Sequence, residues 1–185
     1  MFEASISELA EGLRTGRWTS RSLTEEALRR IAEIDQSGPG LNAIAEVNPD
    51  ALWIADALDR ELRETGPRGP LHGLPVVVKD NISTAGKMHT TAGSAALADF
   101  YAPQDAEVVR RLKQAGAVIL GKACLSEFAY WVARKRKMPS GFSSRSGQVV
   151  KISVFRVNKA KLQHGKILLQ ISEIVIKTAF SAGLL

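Results

Sequence analysis

The fold is read from residues 74–81, Leu74-Pro75-Val76-Val77-Val78-Lys79-Asp80-Asn81. Five apolar residues, three of them β-branched, follow one another without the polar alternation of a half-exposed strand. Both faces of such a strand must be covered, as in a sheet with helices on either side. The run stops abruptly at two charged residues and an asparagine. Further along, Ala117-Val118-Ile119-Leu120 repeats the pattern of a buried strand. It follows residues 104–115, which place Val108, Val109 and Leu112 at helical spacing, and Gly116 stands where a left-handed residue closes a helix. Helix, glycine, buried strand is the rhythm of the α/β class. The expected architecture is a partial α/β/α layered sheet preceded by N-terminal helices.

Those helices are legible outward from the strand. Residues 5–15 carry Ile6, Leu9, Ala10 and Leu13 on one helical face, with Ser5 or Ser7 as N-cap and Gly16 as the stop. A second helix is expected from Ser22 to Ile34, with Thr24 ahead of Glu25 and Glu26 in its positively polarised first turn. Gly38, Pro39 and Gly40 then break the chain. Residues 41–47 read as a strand. From Asp50 a third helix sets Ala51, Ile54, Ala55 and Leu58 inward, and Gly66, Pro67, Gly69 and Pro70 make the loop that ends it. Residues 83–103 lack a clean period and read as a long surface loop with one short helix, a length that in compact domains usually carries function.

With 185 residues, 45% apolar and 24% charged, the chain has material for one domain with a real core. A single cysteine, Cys124, excludes an internal disulfide framework and any multi-cysteine zinc site. The first residues, MFEASISELAEGL, have neither the basic nor the apolar region of a secretory signal, so the expected compartment is the cytoplasm. The net charge of +6 is unevenly spread. Residues 1–133 hold fourteen Lys and Arg against eighteen Asp and Glu, whereas residues 134–185 hold eleven against one. A boundary is therefore expected between an acidic body and a basic tail. The tail's longest apolar piece, residues 167–180, falls short of the ~20 residues a membrane-spanning helix needs, so no membrane span is expected.

Lys79 is the most informative residue. A lysine directly after an interior strand sits at the carboxyl edge of the sheet, where open α/β folds place their sites. Desolvation there lowers a lysine pKa by up to ~3–5 units and yields a usable neutral base. The competing reading is a lysine that snorkels to water or pairs with Asp80. Context bears on the choice. Gly73-Leu74-Pro75-Val76-Val77-Val78-Lys79-Asp80-Asn81-Ile82 is followed by Thr90-Thr91-Ala92-Gly93-Ser94, Asp105-Ala106, Gly116-Ala117-Val118-Ile119-Leu120-Gly121-Lys122 and Ser126-Glu127-Phe128-Ala129. In this order and at these distances the blocks resemble the amidase signature family, over roughly residues 5–149.

The resemblance implies an α/β sheet of the amidase signature type and a small-molecule amide substrate; no histidine pair stands at metal-ligand spacing, so no metal is expected, and no cofactor is expected. It further implies a Ser-cisSer-Lys triad in which Lys79 is the base, and it puts Phe128 and Ala129 near the substrate channel. General-base help of this kind is worth ~10²–10⁴ in rate. After Gln148 the sequence departs from the family pattern. The glycine- and serine-rich loop with the cis serine and the Asp-x-Gly-Gly-Ser turn of the nucleophile are both missing, and Lys151-Ile152-Ser153-Val154-Phe155-Arg156 stands in their place. Ser172 and Ser181 have no flanking glycines to build a strained nucleophile turn, so no nucleophile is assigned. The expected organisation is the N-terminal part of an amidase domain over residues 1–149 and an unrelated basic tail over 150–185, as a reading-frame change or retained intron would produce. Little or no turnover is expected. The rival reading is a binding module whose tail meets nucleic acid or anionic membrane.

Other features have plainer readings. Residues 116–123 fit the start of a phosphate-binding loop, but Ala123 replaces the hydroxyl residue that holds magnesium, and the middle reads as strand. The Arg134-Lys135-Arg136-Lys137 cluster has no interleaved aromatics and reads as a solvated loop, so no nucleic-acid partner is expected. His72 reads as structural, His89 and His164 as isolated, and Cys124 as an inert core thiol. No residue pattern reports the oligomeric state.

Overall fold

The computed structural model describes residues 4–37, 40–129 and 153–154. Helix α1 spans Ile6–Arg14, α2 Ser20–Arg30, α3 Ala51–Thr65 and α4 Glu107–Gln114; strands are β1 Ile44–Val47, β2 Pro75–Lys79, β3 Val118–Ala123 and β4 Ser153–Val154. The sheet order is β1-β3-β2-β4. β2 and β3 are parallel, with Pro75 opposite Val118 and Lys79 opposite Ala123, and β1 and β4 flank them antiparallel.

The unbroken apolar run of β2 serves two cores. Val76 and Val78 pack with Val109 and Leu112 of α4, and with Ile82, Met88 and Ile119. Val77, one residue out of phase, packs on the other face with Ala27 and Ile31 beside α2, and with Ala55 and Leu58 of α3. Alternation along a strand covered on both faces produces this division. Within β3 the register slips between the partners of Val76 and Val77, so that Leu120 is the extra residue of a bulge.

The helix boundaries follow local chemistry. Ser5 caps α1: its Oγ accepts Glu8 N at 3.2 Å, and Glu8 Oε2 accepts Ser5 N at 2.6 Å. Helix α2 begins earlier than the periodicity predicts. Thr19 is its cap: its Oγ1 accepts Ser22 N at 3.0 Å, and its own N–H donates to Ser22 Oγ at 3.0 Å. Glu25 and Glu26 are thereby displaced from the first turn and pair with Arg21 and Arg29 instead. The anion at the N-terminus of α2 comes from α3. Asp59 is buried and accepts Ser20 N at 2.6 Å and Arg21 N at 3.0 Å. After Arg30 the coil widens into a π-helical segment, Ile31–Ser37, which carries the helix past Ile34.

Between β2 and α4 the chain is a long loop with one 3₁₀ turn, Ala95–Leu97, as its composition predicts. It is better anchored than a surface loop, with Thr84, Met88, Thr90 and Ser94 all buried. Among the described residues no helix is long and apolar enough to cross a membrane. Arg134 to Lys137, His164, Ser172, Ser181 and residues 167–180 lie outside the described residues.

Candidate active site

Because β2 and β3 run parallel, their carboxyl ends lie side by side, and the loops after both strands leave from one edge of the sheet. Lys79 closes β2 at that edge, partly buried. Among the described residues its ammonium has neither a hydrogen-bond nor an ion-pair partner.

The next residue turns the other way. Asp80 is 3% exposed and its N–H donates to Ala123 O at 3.0 Å. Its carboxylate accepts Thr91 N at 3.2 Å and the Thr91 hydroxyl, and it lies 3.6 Å from Lys122 Nζ. The pairing of Lys79 with Asp80 that the sequence left open is therefore not the arrangement found.

Lys122 is the residue the sequence reading passed over. It is wholly buried, and its Nζ donates to Ile82 O at 2.8 Å, Thr84 Oγ1 at 2.9 Å, Thr90 Oγ1 at 3.0 Å and His89 O at 3.1 Å. Burial pushes its pKa below the ordinary lysine value, while Asp80 and Glu46 pull against that shift. The signal was available: a lysine inside an apolar strand must find partners or go unsatisfied. The apparent phosphate-loop match over 116–123 is mostly strand, and its ammonium is occupied inside the protein.

A third segment joins the site. Ala92 N donates to Asp80 O at 3.1 Å, and Ala92 O accepts Phe128 N at 2.7 Å, so backbone bonds lead from the neighbour of Lys79 to the turn Glu127–Ala129. Ser94 Oγ donates to Glu127 Oε1 at 2.7 Å. Gly93 sits where the two loops cross; a Cβ there would lie 2.8 Å from Leu125 O. Phe128 and Ala129 have φ of 49° and 56°, left-handed conformations that cost non-glycine residues about 1–2 kcal/mol each. Phe128 projects outward, 58% exposed.

The remaining candidates resolve by their contacts. His72 is buried, its Nδ1 receiving Arg68 N at 3.2 Å and its Nε2 lying 3.0 Å from Leu58 O, as a structural histidine should. His89 is not isolated. Its ring stacks on Tyr101 at 4.1 Å and its Nδ1 lies 3.0 Å from Glu46 Oε1. Cys124 corrects a second expectation: it is exposed, because β3 ends at Ala123 and the chain leaves the sheet there. Partial desolvation, with the Asp35 and Asp80 carboxylates adding to it, pushes its thiol up and favours the protonated, unreactive form.

The parallel pair β2 and β3 thus sets Lys79, without a partner among the described residues, at the carboxyl edge of a layered α/β sheet. The chain belongs to the amidase family, whose sequence profile matches residues 22–140. It is 45% identical over 148 residues to a probable amidase of Arabidopsis thaliana, covering 79% of this chain and 28% of that protein. It is 46% identical over 130 residues to one subunit of the glutamyl-tRNA(Gln) amidotransferase of Halorhodospira halophila, covering 70% of this chain and 26% of that one. The native peptide amidase of Stenotrophomonas maltophilia superposes with a TM-score of 0.66 at 50% identity, over 68% of this chain and 26% of the other. The chain thus spans about a quarter of the length of the relatives it matches.

Proposed function

We propose that this chain carries the lysine-bearing part of a carboxamide hydrolase and does not complete the reaction by itself. In the reaction that the family resemblance implies, the neutral Lys79 amine takes a proton from a bridging serine as that serine takes one from the nucleophile. The nucleophile adds to the carbonyl, the C–N bond breaks, and the returned proton leaves with ammonia or an amine. Water then releases the acid from the acyl-enzyme.

The observation that carries this reading is the contrast between two lysines at one sheet edge. Lys122 is satisfied on every side, whereas Lys79 has no partner among the described residues. The backbone bonds from Asp80 through Ala92 to Phe128 tie the turn of Phe128 and Ala129 to the segment that follows Lys79, which supports a place for them near it. The sequence after Gln148 holds neither serine motif, so the lysine has no nucleophile of the family's kind to activate. Loss of a triad nucleophile costs about 10⁶ in turnover, far more than a lone base restores.

Two measurements test this. Purified chain incubated with a panel of aryl and aliphatic amides should release no ammonia or amine above buffer; cleavage that Lys79→Ala abolishes would overturn the claim of incompetence. Residues 22–129 grafted in place of the matching segment of the Stenotrophomonas peptide amidase should give an active chimaera that Lys79→Ala slows at least ~10²-fold. A chimaera indifferent to Lys79→Ala would remove the lysine from the mechanism.

A further inference from the structure

Both charged neighbours at the end of β2 need explaining. Asp80 is adjacent in sequence to Lys79, and two oppositely charged residues in a partly buried site ordinarily pair. Here the register separates them. Lys122 lies opposite Val78, and strand alternation turns Lys79 to the other face, that of Val77. The ammonium of Lys122 reaches into the loop after β2 and meets Asp80 from that side at 3.6 Å, while Thr91 binds both carboxylate oxygens.

The other carboxylates at this end of the sheet are also engaged. Asp35, after α2, accepts Ala43 N at 2.7 Å and Ile44 N at 3.2 Å. Glu46 on β1 accepts His89 N at 2.7 Å and faces the His89 ring. Glu127 accepts the Ser94 hydroxyl.

We propose that Lys122 is a positioning residue for Lys79: its buried ammonium holds the Asp80 carboxylate and the loop over residues 82–90 away from Lys79, leaving Lys79 without an anionic partner among the described residues. An amine freed from a carboxylate loses its proton more readily, which a general base requires. The proposal rests on the reading of Lys79 as base, but its test reads the titration of Lys79 and not catalysis, so the two fail separately.

The experiment is competitive acylation of the full chain across pH, with the modification of Lys79 followed by mass spectrometry and folding checked by circular dichroism. Lys122→Met frees Asp80, and the Lys79 titration should move up by about one unit or more, the effect of an opposite charge at close range. In the Lys122→Met/Asp80→Asn double variant it should return to the wild-type position. An unchanged Lys79 curve in folded Lys122→Met, or a shift that persists in the double variant, overturns the proposal. If Lys122→Met does not fold, Asp80→Asn alone decides: an unmoved Lys79 curve supports the proposal, and a downward shift shows that Asp80 already acts on Lys79 and overturns it.

Discussion

Lys122→Met probes the centre of the site through stability. Methionine keeps the unbranched stem but removes the charge and all three N–H donors. Ile82 O and His89 O then lose their ammonium donor, and the Asp80 carboxylate, 3% exposed, keeps Thr91 but loses its cation. Removing one partner of a buried ion pair costs about 3–5 kcal/mol, because the other charge stays behind uncompensated. With a urea dependence of about 2 kcal/mol per molar, the unfolding midpoint followed by tryptophan fluorescence should fall by roughly 2 M. The pH dependence has a defined sign. The Lys122 pKa in the folded protein lies below 10.5, so the unfolded chain binds more protons in the window between the lowered value and 10.5. This group therefore makes stability rise with pH across that window, as the desolvation penalty on the ammonium is relieved. The Cys124 thiol, raised from 9.0, contributes in the opposite sense, but both proteins share it and it cancels in the difference. The gap between wild type and Lys122→Met should thus widen as the solution becomes alkaline. A midpoint change worth under about 1 kcal/mol, or a gap that narrows, would refute the view that this cation organises the loop.

Two further outcomes follow from the scaffold. Asp59→Ala removes two charge-assisted bonds to the N-terminus of α2 and should cost about 2–4 kcal/mol in urea unfolding, whereas Asp59→Asn should retain part of that stability. Gly116→Val places a Cβ 2.8 Å from His72 Nδ1 and 2.9 Å from its Cα, at a φ of +83°, and should lower stability by more than about 2 kcal/mol with loss of thermal cooperativity.

The sequence alone determined the two buried strands, because continuous β-branched runs have no stable home except the inside of a layered sheet. It also determined the capped helix α1, the long loop and the family, since these rest on local spacing and on blocks of residues in order. The start of α2 was misread because periodicity marks the buried stripe rather than the Thr19–Ser22 cap, and that cap is completed by Asp59, thirty-nine residues away from Ser20. No local pattern encodes such a contact. The fate of Lys79 likewise depended on tertiary structure: adjacency to Asp80 suggested a pair, and only the parallel register of β2 and β3 sets Lys122 against Asp80 instead. Cys124 was misassigned because burial at a strand end depends on where the sheet stops, which neighbouring strands decide. Chemistry near a strand is written in the chain; which of two neighbouring charges stays free is set by what folds against them.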